Sequence, residues 1–227
     1  MNPSIEAVTF DAGGTLIDPW PSVGAVYASV ARDFGLDCCP DTITAQFASA
    51  WKRRTPFRYT REEWAEVVRH SFHGQGHVSP ALFNAIYDRF AEPDTWLIYS
   101  DVIPTLQALE KLGVKLAPIS NWDNRLRFLL NKLGLATYFQ HIVVSSEIDA
   151  HKPDPRIFLH TAELLNVPAE KILHVGDTPG EDIAGAHAVN AFACRIRRSG
   201  VEQAGDIPRL TEILNVLENP IKLCRRK

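Results

Sequence analysis

The 227-residue sequence has few cysteines, no marked excess of charge and no long apolar run, and each absence excludes a class of protein. Its four cysteines have neither the spacing of metal ligands nor the density of a disulfide scaffold. With 24 Lys and Arg residues against 27 Asp and Glu residues, nothing favours binding to nucleic acid or to an acidic membrane. No apolar stretch approaches the ~18 residues that span a bilayer.

The same features predict a protein of a reducing compartment. The N-terminus lacks the charged segment, apolar run and cleavage site of a secretory signal. We therefore expect a cytoplasmic protein without nucleic-acid or membrane partners, large enough to bury a hydrophobic core. The sequence does not predict the oligomeric state.

Beyond residue 95, short apolar runs alternate with helical patterns, which is the order expected of a parallel sheet with crossover helices. The predicted strands are Ala7–Phe10, Lys115–Ile119, His141–Ser145, Ile172–Val175 and Ala191–Ile196. The predicted helices, each followed by a Gly or Asn stop, are Val102–Leu112, Arg125–Leu133 and Pro155–Leu165. The polar segments of interest follow these strands, at the sheet edge where ligands bind in open α/β folds.

Residues 19–90 interrupt this alternation with four helical stretches rich in Ala, Phe and Trp. The sequence therefore predicts an α/β fold with a Rossmann-like parallel-sheet core, residues 1–17 and 92–227, and an inserted helical bundle, residues 18–91. The predicted helices of the bundle are Val23–Phe34, Asp41–Arg53, Arg61–Phe72 and Ser79–Phe90. Because such helices bury one another, most of the bundle's large aromatic residues are expected in its core: Phe47, Trp51, Trp64, Phe72, Phe83 and Phe90.

Asp11 directly follows the first predicted strand, in the segment FDAGGTL. A single Asp in this position is usually a turn or cap residue. Gly13 and Gly14 change that expectation, because they let the backbone fold around an anion and offer it amide N–H groups. By itself the segment is a weak motif; as a nucleophile, the Asp11 carboxylate would divide one difficult displacement into two easier steps.

Two further segments supply groups that suit phosphoryl transfer. Ser120 and Asn121 end the second predicted strand, where a hydroxyl and an amide can hold phosphoryl oxygens or cap the next helix. Lys152 lies between His151 and Pro153 in HKPDPRIF, an extended segment that prolines fix before a helix. A lone lysine is usually solvated, but one in this place would neutralise charge on a transferring group.

Asp177 and Asp182 lie in VGDTPGEDIAGA, at the end of a strand and the start of a helix. Two acids in such a loop can be a cap and a surface charge. Together with Asp11, however, they favour Mg²⁺, which takes oxygen ligands and seldom needs more than two protein carboxylates.

These four segments, in this order, resemble the motifs of the haloacid dehalogenase superfamily, and the stretches SNWDNRL and KPDPRIF look most like its hydrolase domain-containing protein 3 group. The resemblance implies a helical cap of the subfamily I type and a small phosphorylated metabolite as substrate. It further implies these roles: Asp11, Ser120 and Lys152 catalytic; Gly14, Thr15 and Asn121 substrate-binding; Asp11, the Gly13 carbonyl, Asp177 and Asp182 around Mg²⁺, with Asp182 holding a metal-bound water.

The first motif departs from the pattern DxDGT of most phosphatases in the superfamily, because Gly13 replaces the second Asp. That Asp protonates the leaving alcohol and then activates water, and such proton transfer is typically worth ~10²–10⁴ in rate. A phosphatase acting on good leaving groups, such as acyl or aryl phosphates, would survive the loss. Asp18, His151 or a cap residue are candidate replacements.

Three other interpretations stay open. A metal-free dehalogenase also lacks the second acid, because halide leaves without a proton, but Asp177 and Asp182 argue against it. A phosphonatase needs a cap lysine that forms a Schiff base, and Lys52 is the one lysine of the predicted bundle. A regulatory protein that binds a phosphorylated ligand would keep Asp11, Lys152 and the metal.

The substrate itself is not predicted. Arg58, Tyr59 and Arg61 form a basic and aromatic cluster in the predicted bundle, which either meets a phosphate or is simply solvated.

Overall fold

The computed structural model describes residues 5–53, 57–200 and 205–218. Two compact units divide the chain: a sheet unit, Met1–Asp18 with Ile98–Lys227, and a helical unit, Pro19–Leu97. Cys224, one of the four cysteines, lies outside the described residues. Within the described ranges, no helix has both the length and the apolar character needed to cross a bilayer.

The sheet unit is built on six strands in the order β5-β4-β1-β6-β7-β8, and all neighbouring pairs are parallel. The strands are β1 (Ala7–Phe10), β4 (Lys115–Ser120), β5 (Val143–Val144), β6 (Ile172–Gly176), β7 (Phe192–Ile196) and β8 (Asp206–Ile207). Strand β1 lies between β4 and β6 and is fully buried, as its run of apolar residues predicts for a central parallel strand.

The chain order places a topological switch point beside β1. After β1 the chain adds β4 and β5 on one side, and then returns to add β6, β7 and β8 on the other. The carboxyl ends of β1, β4 and β6 therefore border the crevice where open α/β sheets bind ligands. The predicted parallel-sheet architecture is confirmed.

Three helices of the sheet unit, those that begin at Val102, Arg125 and Pro155, end within one residue of their predicted stops, and the other three described helices have no predicted bounds. The helices of this unit are α5 (Val102–Lys111), α6 (Arg125–Lys132), α7 (Ser145–Ile148), α8 (Pro155–Leu165), α9 (Ala184–Ala188) and α10 (Ile213–Glu218). Gly113 follows α5 with a φ of 72°, and the Val114 N–H donates to the Leu109 carbonyl. This left-handed turn is accessible to glycine at little cost.

Four amphipathic helices form the helical unit, as the sequence predicts: α1 (Val23–Asp33), α2 (Pro40–Arg53), α3 (Arg61–Ser71) and α4 (Pro80–Arg89). Ser22, Thr60 and Ser79 cap α1, α3 and α4 with their side-chain oxygens, and Thr60 forms a capping box with Glu63. The six aromatic residues predicted for the core are all buried or packed against it.

The basic and aromatic cluster of the helical unit has structural contacts. Tyr59 is buried and packs edge-on against Phe57, with ring centroids 4.8 Å apart. Arg61 lies over the ring of Tyr87 at 4.2 Å and donates to Asn84 Oδ1 at 2.9 Å. These contacts favour a packing role over contact with a phosphate.

Three short strands were not predicted. Strand β2 (Ile17–Pro19) pairs with β3 (Trp96–Ile98), and β8 extends the sheet edge. Strands of two or three residues show too little alternation to stand out in a sequence. The division between the two units falls within β2 and β3, beyond the predicted boundary after residue 91. The assignment of the inserted segment as a cap domain stays a prediction.

A substitution at Gly24 tests the packing of α1 against α2. A Cβ on Gly24 would lie 2.0 Å from the Pro40 carbonyl oxygen and 2.7 Å from the Thr44 nitrogen. Because backbone atoms cannot rotate away, Gly24→Ala should destabilise the protein by about 1–3 kcal/mol in urea unfolding. Gly180→Ala is the control, since the same methyl group there meets no described atom within 4 Å. Equal stability of the two variants would contradict this helix crossing.

Candidate active site

Two carboxylates converge on Lys152 at the carboxyl edge of the sheet, and a hydroxyl bonds to one of them. The Lys152 Nζ donates to Asp11 Oδ1 at 2.6 Å and to Asp182 Oδ1 at 2.5 Å. Ser120 Oγ donates to the same Asp11 oxygen at 3.3 Å. These residues come from four separate segments, and the parallel strands bring them together as the sequence predicts. Their catalytic roles stay predictions.

Lys152 is almost completely buried, with 1% of its side chain exposed. Burial acts to lower its pKa, but the carboxylates of Asp11 and Asp182 hold the pKa above the usual range of a lysine. The ammonium is therefore charged at neutral pH and fixed between two acids. Such a group can neutralise negative charge that builds up beside Asp11.

Asn121 holds the backbone of Lys152 from both sides. Its Oδ1 accepts from the Lys152 N–H at 2.7 Å, and its Nδ2 donates to the Lys152 carbonyl at 2.9 Å. Nδ2 also donates to Glu181 Oε2 at 2.9 Å. The amide predicted to bind substrate thus makes three protein hydrogen bonds, two of which hold the lysine backbone.

Asp182 is occupied by internal partners. Besides Lys152, its Oδ1 accepts from His174 Nε2 at 3.1 Å, and its Oδ2 accepts from the Thr178 N–H at 2.9 Å. Burial acts to raise the pKa of Asp182, but the charge of Lys152 and the His174 hydrogen bond hold it well below the usual value. Asp182 is therefore an ionised anchor for the lysine.

His174 was not singled out from the sequence. It is fully buried in β6, where Phe158 packs edge-on against its ring and burial lowers its pKa. A neutral His174 donates from Nε2 to Asp182 and accepts at Nδ1 from the Thr9 hydroxyl, 2.9 Å away. The sequence offers one clue to this contact: Thr9 and His174 are single polar residues within two apolar strands. In the structure these two residues are paired in register.

Asp11, Asp177 and Asp182 each offer a carboxylate oxygen, and these oxygens lie within 4.8 Å of one another. Burial and neighbouring acids raise the pKa of Asp177, and burial raises that of Asp11 to about 7. Three clustered acids with a single lysine favour a further cation, and their hard oxygens fit Mg²⁺. The Gly13 carbonyl stays a predicted ligand.

The two other predicted substrate-binding residues differ in their surroundings. Gly14 has a φ of 72°, and a Cβ there would lie 2.8 Å from Asp177 Oδ2, so glycine is required for this close approach. Thr15 is fully buried, and its hydroxyl has no hydrogen-bond partner among the described residues. The Thr15 carbonyl accepts from Arg198 Nη2 at 2.5 Å, which ties the loop to the segment after β7.

The two named replacements for the missing acid lie in different environments. Burial raises the pKa of Asp18, which hydrogen-bonds Tyr99 and lies near Arg198. His151 is exposed. The assignment of either residue as the acid stays a prediction.

Comparison with known proteins identifies related sequences over nearly the whole chain. The family model of haloacid dehalogenase-like hydrolases matches residues 5–190. Haloacid dehalogenase-like hydrolase domain-containing protein 3 of Danio rerio is 31% identical, with 98% of each chain covered. Glyceraldehyde 3-phosphate phosphatase of Methanopyrus kandleri is 38% identical, but over 44% of this chain and 43% of the relative. The resemblance inferred from the four motifs is confirmed.

Solved structures with both chemistries of this family are similar to the chain. A phosphatase from Thermococcus onnurineus is 28% identical with a TM-score of 0.69, and 93% of this chain and 97% of that chain are covered. A 2-haloacid dehalogenase from Pseudomonas syringae is 26% identical with a TM-score of 0.66, with 94% and 98% covered. Overall similarity therefore does not distinguish the two reactions.

The raised pKa of Asp11 predicts that removing its charge stabilises the protein, and that this stabilisation depends on pH. Because this carboxyl binds its proton more tightly when folded, it costs stability as the pH rises from its ordinary pKa of 3.8 towards about 7. In EDTA at pH 8, Asp11→Asn should therefore raise the unfolding free energy by about 1–3 kcal/mol, with a smaller gain at pH 5.

Urea unfolding at the two pH values measures this difference. Asp33→Asn, which changes an exposed carboxylate, is the matched control and should show no such gain. A loss of stability at pH 8 in Asp11→Asn would mean that attraction to Lys152 outweighs the cost of burying the acid.

Proposed function

The chain belongs to the haloacid dehalogenase-like hydrolases, and from this premise we propose that it is a Mg²⁺-dependent phosphatase that forms an aspartyl-phosphate on Asp11. The observation that carries this proposal is the cluster of Asp11, Asp177 and Asp182 beside a single buried lysine. A halide needs no such cluster to leave, whereas a phosphate monoester brings further negative charge that cations must neutralise.

In the proposed reaction, a carboxylate oxygen of Asp11 attacks phosphorus while the bond to the leaving oxygen breaks. The leaving group departs with the electron pair. Lys152, 2.6 Å from Asp11 Oδ1, holds the carboxyl group and neutralises charge on the phosphoryl oxygens. Ser120 donates to the same oxygen of Asp11 and adds a donor. Water then attacks phosphorus, which releases phosphate and restores Asp11.

The cation would be held by Asp11, Asp177 and the Gly13 carbonyl, with Asp182 orienting a metal-bound water. When bound, Mg²⁺ offsets the charge of the phosphoryl oxygens. Gly13 limits this chemistry, because no carboxyl group at that position protonates the leaving oxygen. We therefore propose a small phosphorylated metabolite with a weakly basic leaving group as the substrate class.

A regulatory protein that binds a phosphorylated ligand without turning it over is the second candidate. The absence of a carboxyl side chain at Gly13 favours it, since both half-reactions lose their proton-transfer group. Binding without hydrolysis would distinguish it from a phosphatase.

Turnover of 4-nitrophenyl phosphate is predicted to require both Mg²⁺ and Asp177. Asp177→Asn removes a formal charge from the proposed metal site, so calorimetry should find Mg²⁺ affinity lowered by about tenfold or more. The control Asp33→Asn changes an exposed acid outside the cluster and should bind Mg²⁺ as the unaltered protein does. Equal affinities, or halide release from 2-haloacids in EDTA, would contradict the proposal.

Gly13→Asp should restore the missing proton transfer. The φ of Gly13 lies outside the left-handed region, and an added Cβ would lie 3.3 Å from Trp122 Cζ3, so a small movement of the ring admits the side chain. The kcat/KM for alkyl phosphates, which reports phosphorylation of Asp11, should rise by ~10²-fold or more, and that for aryl phosphates much less. A folded variant that binds Mg²⁺ yet shows no gain on alkyl phosphates would place the acid elsewhere.

A further inference from the structure

The indole of Trp122 lies next to Gly13, at the point where the side chain of the missing acid would begin. Apart from chain neighbours, Trp122 Cζ3 is the single described heavy atom within 4 Å of a Cβ built on Gly13, at 3.3 Å. Gly13 adjoins Ala12 and the nucleophile Asp11. The wall of the site beside residue 13 is thus an aromatic edge.

The position of Trp122 is fixed by its backbone and its neighbours. The Trp122 N–H donates to Ser145 Oγ at 3.0 Å, and the Ser145 hydroxyl donates back to the Trp122 carbonyl at 3.1 Å. The next residue, Asp123, is buried and paired with Arg125 at 2.6 Å. The ring is therefore carried by an ordered segment, and both Trp122 and Gly13 are half-buried.

We propose that Trp122 is a specificity-determining residue that selects aryl and aroyl phosphates, whose leaving groups carry an aromatic ring. This inference rests on the proposed phosphatase function. A leaving group in an active site without the usual acid must depart as a weak base, and delocalised anions such as phenolates and carboxylates meet that requirement. An aromatic ring next to the indole also gains stacking or edge contacts.

Leaving-group basicity and aromatic contact can be separated experimentally. Benzoyl phosphate and acetyl phosphate both release a carboxylate of similar basicity, and only benzoyl phosphate offers a ring. We expect the unaltered protein, with Mg²⁺, to show a kcat/KM about tenfold higher for benzoyl phosphate. Trp122→Ala should remove most of this ratio, whereas Trp122→Phe should keep much of it because an aromatic face remains.

Binding of phenylphosphonate and methylphosphonate, measured by calorimetry with Mg²⁺, gives a readout that does not need turnover. The unaltered protein and Trp122→Phe should prefer phenylphosphonate, and Trp122→Ala should not. Trp122→Leu, which fills the space without a π face, replaces Trp122→Ala if the latter unfolds.

The outcomes distinguish the inference from the function on which it rests. Binding of both phosphonates with equal affinity, or a ring preference that survives in Trp122→Ala or Trp122→Leu, would overturn the role of Trp122 alone. If the protein binds neither phosphonate and also hydrolyses no phosphate, the proposed function is overturned, and the inference with it.

Discussion

The buried ammonium of Lys152 is the constraint on which the candidate site depends. A charge with so little exposure is expensive unless it is paired, and Asp11 and Asp182 pair with it from two different segments. Both carboxylates reach the lysine only if β1 and β6, the strands that precede them, end at the same edge of the sheet. Asn121 holds the lysine backbone, and His174 holds Asp182, so the ion pairs and the sheet register determine each other.

The side chains whose convergence the sequence predicts are those that follow strands. Since parallel strands end at one edge, Asp11, Ser120 and Asp177 were expected to converge, and Lys152 was added through its motif. The contacts that were missed depend on side-chain direction and strand register. The pair Thr9 and His174 is visible only once β1 and β6 are known to be neighbours. The hydrogen bonds between the Asn121 amide and Lys152 are likewise not predicted, and a substrate contact of Asn121 stays a prediction.

The replacement of an acid by Gly13 affects two steps differently. The first step tolerates the loss when the leaving group is weakly basic, and an indole beside residue 13 suits such groups. The second step does not depend on the leaving group, so the water that attacks the aspartyl-phosphate still lacks its base. Under the proposed mechanism, Asp11 is phosphorylated easily and phosphate is released slowly, so the covalent intermediate should accumulate.

This central claim can be tested directly by the mass of the peptide that contains Asp11. The protein is mixed with Mg²⁺ and excess 4-nitrophenyl phosphate, quenched in acid during the steady state, and digested. The account predicts a burst of nitrophenol near one equivalent and a phosphoryl group on Asp11 in a large fraction of the chains, absent in Asp11→Asn. Continued release of phosphate while the Asp11 peptide stays unmodified would contradict it.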